Sequence, residues 1–160
     1  MSLESKITDI LEKGKNDLIK SYSSKGLRAS GNFERSLETF YKETNNGFKF
    51  GILGANYADI MQNGRLPNKN KDSLKKFVGW AGSTFLADWV KDKGLNISPF
   101  AVAWKIAREG IKVPNRFNPG GVISDVINDS FVEEFRQIIK FHQIESVKSD
   151  VRNILTNGNN

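Results

Sequence analysis

Apolar residues recur every three or four positions near the start of the chain: Leu3, Ile7, Ile10, Leu11, Leu18, Ile19 and Tyr22. That spacing predicts a helix over 3–23 with one buried stripe. Ser2 is a candidate N-cap, and Glu4 and Asp9 lie toward the positive end of the helix dipole. Gly14 costs such a helix about 1 kcal/mol relative to Ala but need not break it. Residues 24–34, with Gly26 and Gly31, read as a loop. From Ser36 to Thr44 the period becomes two, with Leu37, Thr39 and Tyr41 alternating against Glu38, Phe40 and Lys42. Large residues on both faces lead us to expect a strand covered on both sides. Phe48, Phe50 and Ile52 alternate with Lys49 and Gly51 in a second strand. Asn45-Asn46-Gly47 between the two strands predicts a hairpin, with a type I′ turn that needs positive φ at both central residues.

Tyr57, Ile60 and Met61 share one face of a short helix over 57–62, which Asn63-Gly64 can stop. The loop 64–76, GRLPNKNKDSLKK, is basic. A second helix is expected over 73–93, capped by Asp72 or Ser73, with Phe77 and Trp80 among its buried rings. Gly79 and Gly82 in its middle imply a kink or a close packing contact. Ser98-Pro99 opens a third helix, which Gly110 ends. Two prolines and two glycines exclude a helix from 111–121, which reads as a long loop or extended arm. From Val122 the pattern is helical again, with a break expected near Ser130 or Gln143. A strand over 135–141 is the alternative reading there.

Together these elements predict an α+β fold: a small antiparallel sheet packed against a long N-terminal helix, with additional helices and an extended arm. We expect one domain over 1–155, with a helical insertion at 73–96, the arm at 111–121 and a flexible tail at 156–160.

Composition narrows the class. Eleven Phe and three Trp in 160 residues argue against disorder. Without Cys, disulfides and thiolate metal sites are excluded. No run approaches the length of a membrane span, and the N-terminus lacks the apolar core of a signal peptide, so a soluble, cytosolic protein that makes no membrane contact is expected. The net charge of +6 makes affinity for nucleic acid or another acidic surface a candidate property.

Catalytic chemistry finds little to build on. His142, the only histidine, lies on or beside an apolar helical stripe. Glu133 and Glu134 are adjacent, so on a helix they point about 100° apart. Asp125 and Asp129 form an i, i+4 pair that could chelate weakly, although acidic residues near a helix start already have a dipole explanation. No phosphate-loop, dinucleotide, helix-turn-helix or zinc-finger pattern is present. We therefore expect no enzyme, no cofactor and no metal. The basic residues Arg65, Lys69, Lys71, Lys75, Lys76 and Arg116 are candidates for an interface or for contact with DNA.

The order of motifs resembles the tail-completion proteins of tailed bacteriophages, which join head to tail at the neck. The resemblance rests on a long first helix, the segment Gly26-Leu27-Arg28-Ala29-Ser30, a hairpin leading to Tyr57-Ala58, and Asn63-Gly64 before a variable loop. Ile106-Ala107 and Glu109-Gly110 resemble the family's later helix-then-Gly step. Gln62-Asn63-Gly64-Arg65 stands where family members often carry an acidic residue and Gly-Thr. The resemblance implies a structural virion protein, assembled in the host bacterial cytoplasm. It would form a homo-oligomeric ring between the portal or its adaptor and the tail tube, around a channel for DNA. A nucleic-acid-binding protein acting through the basic loop is the alternative.

Overall fold

The computed structural model describes residues 2–157. Its elements are α1 (Leu3–Ser24), α2 (Asn32–Ser36), β1 (Glu38–Thr44), β2 (Gly47–Leu53), α3 (Ala58–Asn63), α4 (Lys71–Ser83), α5 (Phe85–Asp92), α6 (Pro99–Glu109) and α7 (Asp129–Asn157). The fold is α+β, with a long N-terminal helix and a two-stranded antiparallel sheet, as the periodicities predict.

Helix α1 begins where Ser2 Oγ accepts the Ser5 N–H at 3.1 Å, satisfying one orphan donor of the first turn. Its predicted stripe is buried at Ile7, Ile10, Leu11, Leu18 and Tyr22. The stripe feeds two apolar clusters. Leu18 and Tyr22 pack with Phe33, Leu37 and Val122. Ile7, Ile10 and Leu11 pack with Phe135 of α7. Phe33 belongs to α2, so the segment expected to be loop throughout contains a helical turn that carries a core residue.

The hairpin forms with Tyr41 opposite Phe50 and Thr39 opposite Ile52. Residues of this face pack toward α1 and α7. The other face is open: Phe40 is exposed and lies across Gly51, its partner in the register. The expectation of a strand covered on both sides is therefore corrected, because a two-stranded sheet has only one layer against it here. The turn is corrected too. Neither Asn45 nor Asn46 has positive φ; Gly47, the first residue of β2, takes it instead at 136°.

Helix α3 ends at Gly64, whose φ of 78° and N–H to the Ile60 carbonyl stop it as expected. The chain then leaves the sheet and builds α4–α6, which share their own core of Ala81, Leu86 and Ala103. Helix α4 starts earlier than expected, because Asn70 rather than Asp72 or Ser73 caps it in a reciprocal capping box with Ser73. The predicted single helix is divided at Thr84. There Ser83 Oγ donates to the Gly79 carbonyl and Thr84 Oγ1 to the Trp80 carbonyl, each at 2.7 Å, competing with helix continuation. Gly82 is a close contact rather than a kink: a Cβ there would sit 2.5 Å from the Phe100 ring. Ser98 caps α6, with Pro99 in its first turn, as read from the sequence.

The chain returns beside its own exit. Arg65 and Ile111 exchange two backbone hydrogen bonds of 2.9 and 2.8 Å, and the Asn68 N–H donates to the Ala107 carbonyl at 2.7 Å. Residues 111–121 then fold back rather than project as an arm. The Asn118 side chain donates to the Met61 carbonyl at 2.8 Å. Asn115 and Asn118 pair through their backbones. Residues 122–128 form turns, not helix, with Gln62 Oε1 accepting the Ile123 N–H at 2.8 Å. Asn128 accepts the Phe131 N–H and opens α7. The helix expected from Val122 therefore starts only at Asp129, because turns held by Gln62 occupy 122–128. Helix α7 runs unbroken for 29 residues through Ser130 and Gln143, so the break expected near one or the other and the strand at 135–141 are both overturned. Helix α7 includes Thr156 and Asn157 of the tail read over 156–160; 158–160 lie outside the described residues.

Candidate interface surfaces

The six basic candidates do not form one site. Arg65 is half-buried in the neck between exit and return, with its guanidinium 4.0 Å from the Phe77 ring centroid and Nη2 donating to Asn68 at 3.0 Å. Burial pushes this guanidinium below its ordinary pKa. It is a packing residue. Lys69, Lys71, Lys75 and Lys76 are exposed along the start of α4. Arg116 belongs to a different surface, the tip of the 111–121 loop, where it stacks on Phe117.

The segment from Arg65 to Lys112 carries ten Lys and Arg against four Asp and Glu. That balance equals the +6 of the whole chain, so the remaining residues are neutral on balance. Trp80 is expected to be buried but is 60% exposed. It lies one turn from Lys76 on α4 and 5.3 Å from the Phe85 ring. Phe77 turns inward and is half-buried, as expected. The placement of Trp80 is not legible from periodicity, because Ala81 and Gly82 take the inward positions against α6.

The candidate carboxylates do not converge on one site. Asp125 lies in the turns before α7, so it does not form a helical i, i+4 pair with Asp129; it pairs instead with Lys25 at 2.7 Å. Glu134 reaches Lys13 of α1 at 2.9 Å, while Glu133 turns toward Arg136. The Glu134 carboxylate raises the Lys13 pKa. Among the described residues no cluster of three or more metal-ligating side chains occurs. His142 is exposed on α7.

Two apolar surfaces lie against or along α7. One is an open cleft of about 530 Å³ between the hairpin, α1 and the first half of α7, lined by Leu37, Phe50, Ile127, Val132 and Ile139 among others. The other is the distal half of α7, where every residue from Lys140 to Thr156 is exposed. Near its start, Lys6 of α1 lies over the Phe141 ring, at 5.2 Å. Beyond it, Ile144, Val147, Val151 and Ile154 stand uncovered at spacings of three, four and three. The sequence shows these positions as apolar, but not that they are exposed among the described residues. No described helix is long and apolar enough to cross a membrane.

No family model, curated protein or solved structure matches this chain.

Proposed function

We propose that the chain is a ring-forming structural protein of a phage neck, joining the portal or its adaptor to the tail tube around a channel for DNA. The observation that carries this reading is the exposed apolar face of α7 from Ile144 to Leu155. Contiguous exposed apolar surface of this kind marks an assembly contact. The order of motifs agrees with it: long helix, Leu27-Arg28-Ala29-Ser30, hairpin, Tyr57-Ala58 and a Gly64 stop. In a ring, the lobe of α4–α6 would bring its positive charge to the DNA or to an acidic neighbour. Light scattering and negative-stain imaging test the reading, on the chain alone and with portal and tail-tube proteins. A ring, or incorporation into the portal complex, is expected. A chain that stays monomeric and outside that complex overturns it.

One observation favours a second reading, direct nucleic-acid binding: Trp80 is exposed beside Lys76 on the lobe that holds the net charge. Exposed aromatic rings within a basic surface stack on unpaired bases. Binding of single-stranded DNA should weaken steeply with salt, and replacing Lys69, Lys71, Lys75 and Lys76 together should flatten that slope. An unchanged slope removes this reading.

A further inference from the structure

We propose that the exposed side of α4 around Gly79 and Trp80 holds one unpaired base of single-stranded DNA, with Lys75 and Lys76 on the flanking phosphates. The inference rests on the nucleic-acid reading of the α4–α6 lobe and names the place on that lobe where a base is held.

Gly79 carries the inference. It stands inside α4, exposed to solvent, where glycine weakens a helix through its lost backbone freedom. Gly82 on the same helix has a packing reason, because the Phe100 ring fills the place of its side chain. Gly79 has no such reason. Its own helix backbone and chain neighbours aside, a Cβ built on it meets nothing within 4 Å among the described residues. Glycine also serves where a ligand must approach the backbone closely. Lys75 and Ser83 stand one turn before and one turn after Gly79 on the same line of the helix. The Ser83 hydroxyl donates back to the Gly79 carbonyl at 2.7 Å. No side chain therefore stands on that line between Lys75 and Ser83, a gap of roughly 12 Å at about 1.5 Å per residue.

The next residue, Trp80, offers the ring. It is exposed yet braced, with the Phe77 and Phe85 ring centroids 6.2 and 5.3 Å away. Phe77 is held in turn by the Arg65 guanidinium. A ring held in this way loses little freedom when a flat partner stacks on it. Lys76 lies one turn before Trp80, and Lys71 one turn before Lys75; all three lysines are exposed, and Asp72 is the one acid among them. An unpaired base supplies a flat π-face and its backbone supplies negative charge, so the strand matches both features at once. A protein surface matches less well, because lysine is depleted from protein interfaces. In a duplex the faces of each base are covered by its neighbours in the stack, so this arrangement selects unpaired bases.

The test uses the full-length chain and a labelled oligodeoxyadenylate, with affinity read by fluorescence anisotropy at low salt and melting followed by circular dichroism. Trp80→Ala should weaken binding roughly 5- to 150-fold, the loss of one base–aromatic stack. Gly79→Ala and Gly79→Gln should each melt above wild type, because both residues are better helix formers than glycine. Both should nevertheless bind more weakly, and Gly79→Gln should lose nearly as much as Trp80→Ala. An affinity unchanged by Gly79→Gln, or a lower melting temperature in Gly79→Ala, overturns the site while the nucleic-acid reading stands. The same strand bound equally tightly when paired with its complement also overturns it and leaves contact with phosphates alone. Tighter binding to the matching RNA strand, or to vesicles of anionic lipid, overturns DNA as the occupant. A wild type that binds no nucleic acid removes the nucleic-acid reading and the site with it.

Discussion

The ring of Phe131 lies where a side chain on Gly14 would stand. A Cβ built on Gly14 would be 2.6 Å from two Phe131 ring atoms and 3.3 Å from Ile52 Cδ1. Gly14 is buried in α1, so its missing side chain lets α7 and the hairpin close on that helix. Gly14→Ala gains about 1 kcal/mol of helix propensity. It also overpacks the contact, which typically costs about 1–3 kcal/mol. Phe131 is held against Phe135, with ring centroids 5.1 Å apart, so it has little room to yield. We expect a net loss of about 1 kcal/mol in chemical denaturation; a more stable variant would show that the ring yields freely.

The neck below the three-helix lobe depends on a pair of glycines. Gly64 has φ 78° and a Cβ there would clash with the Ile111 carbonyl oxygen; Gly110 has φ 75° and a Cβ there would clash with the Arg65 carbonyl oxygen. Both clashes are with backbone, which cannot rotate aside. Gly64→Ala and Gly110→Ala should each destabilise by at least about 2 kcal/mol, since positive φ alone costs about 1–3 kcal/mol for a residue with Cβ. The double variant should lose less than the sum, because either one already parts the same two segments. Limited proteolysis within 64–70 is the readout; strict additivity would argue against a shared neck.

Arg65 should behave as a structural cation. Its stack on Phe77 and its bond to Asn68 need the planar guanidinium. Arg65→Lys should lower stability by about 1 kcal/mol. Because the group is turned into the neck, Arg65→Met should leave the salt dependence of any DNA binding unchanged. A flatter slope would put Arg65 in contact with phosphate.

Acid should loosen the contact between α1 and the hairpin. The Glu12 carboxylate is held below its ordinary pKa of 4.5, first by hydrogen bonding with Lys15 and then by the Thr39 hydroxyl. A folded pKa below the unfolded one gives stability that is present above the unfolded value and lost as pH falls through the folded one. The urea midpoint of wild type should therefore fall below about pH 4.5 more steeply than that of Glu12→Gln. Equal slopes would mean that Glu12 contributes nothing to acid sensitivity.

Local pattern determined much of this protein. The three- and four-residue spacing in 3–23, the alternation around Asn45-Asn46-Gly47 and the caps at Ser2, Ser98, Gly64 and Gly110 set α1, the hairpin, α6 and the helix stops. These features depend on neighbours within a few residues, so periodicity and turn chemistry suffice to read them. The concentration of charge between Arg65 and Lys112 is likewise countable in the chain. Tertiary packing decided the rest. Trp80 faces solvent because Ala81 and Gly82 give α6 a closer approach. Arg65 turns inward because exit and return meet at Ile111. An apolar stripe looks the same in sequence whether a core covers it or not: Phe131 and Phe135 meet α1, whereas Val147 and Val151 on the same helix are exposed, since the first turns of α1 lie beside Phe141. Which half of a stripe is buried depends on the length of the neighbouring helix and on where it docks, and that information lies far away in the chain.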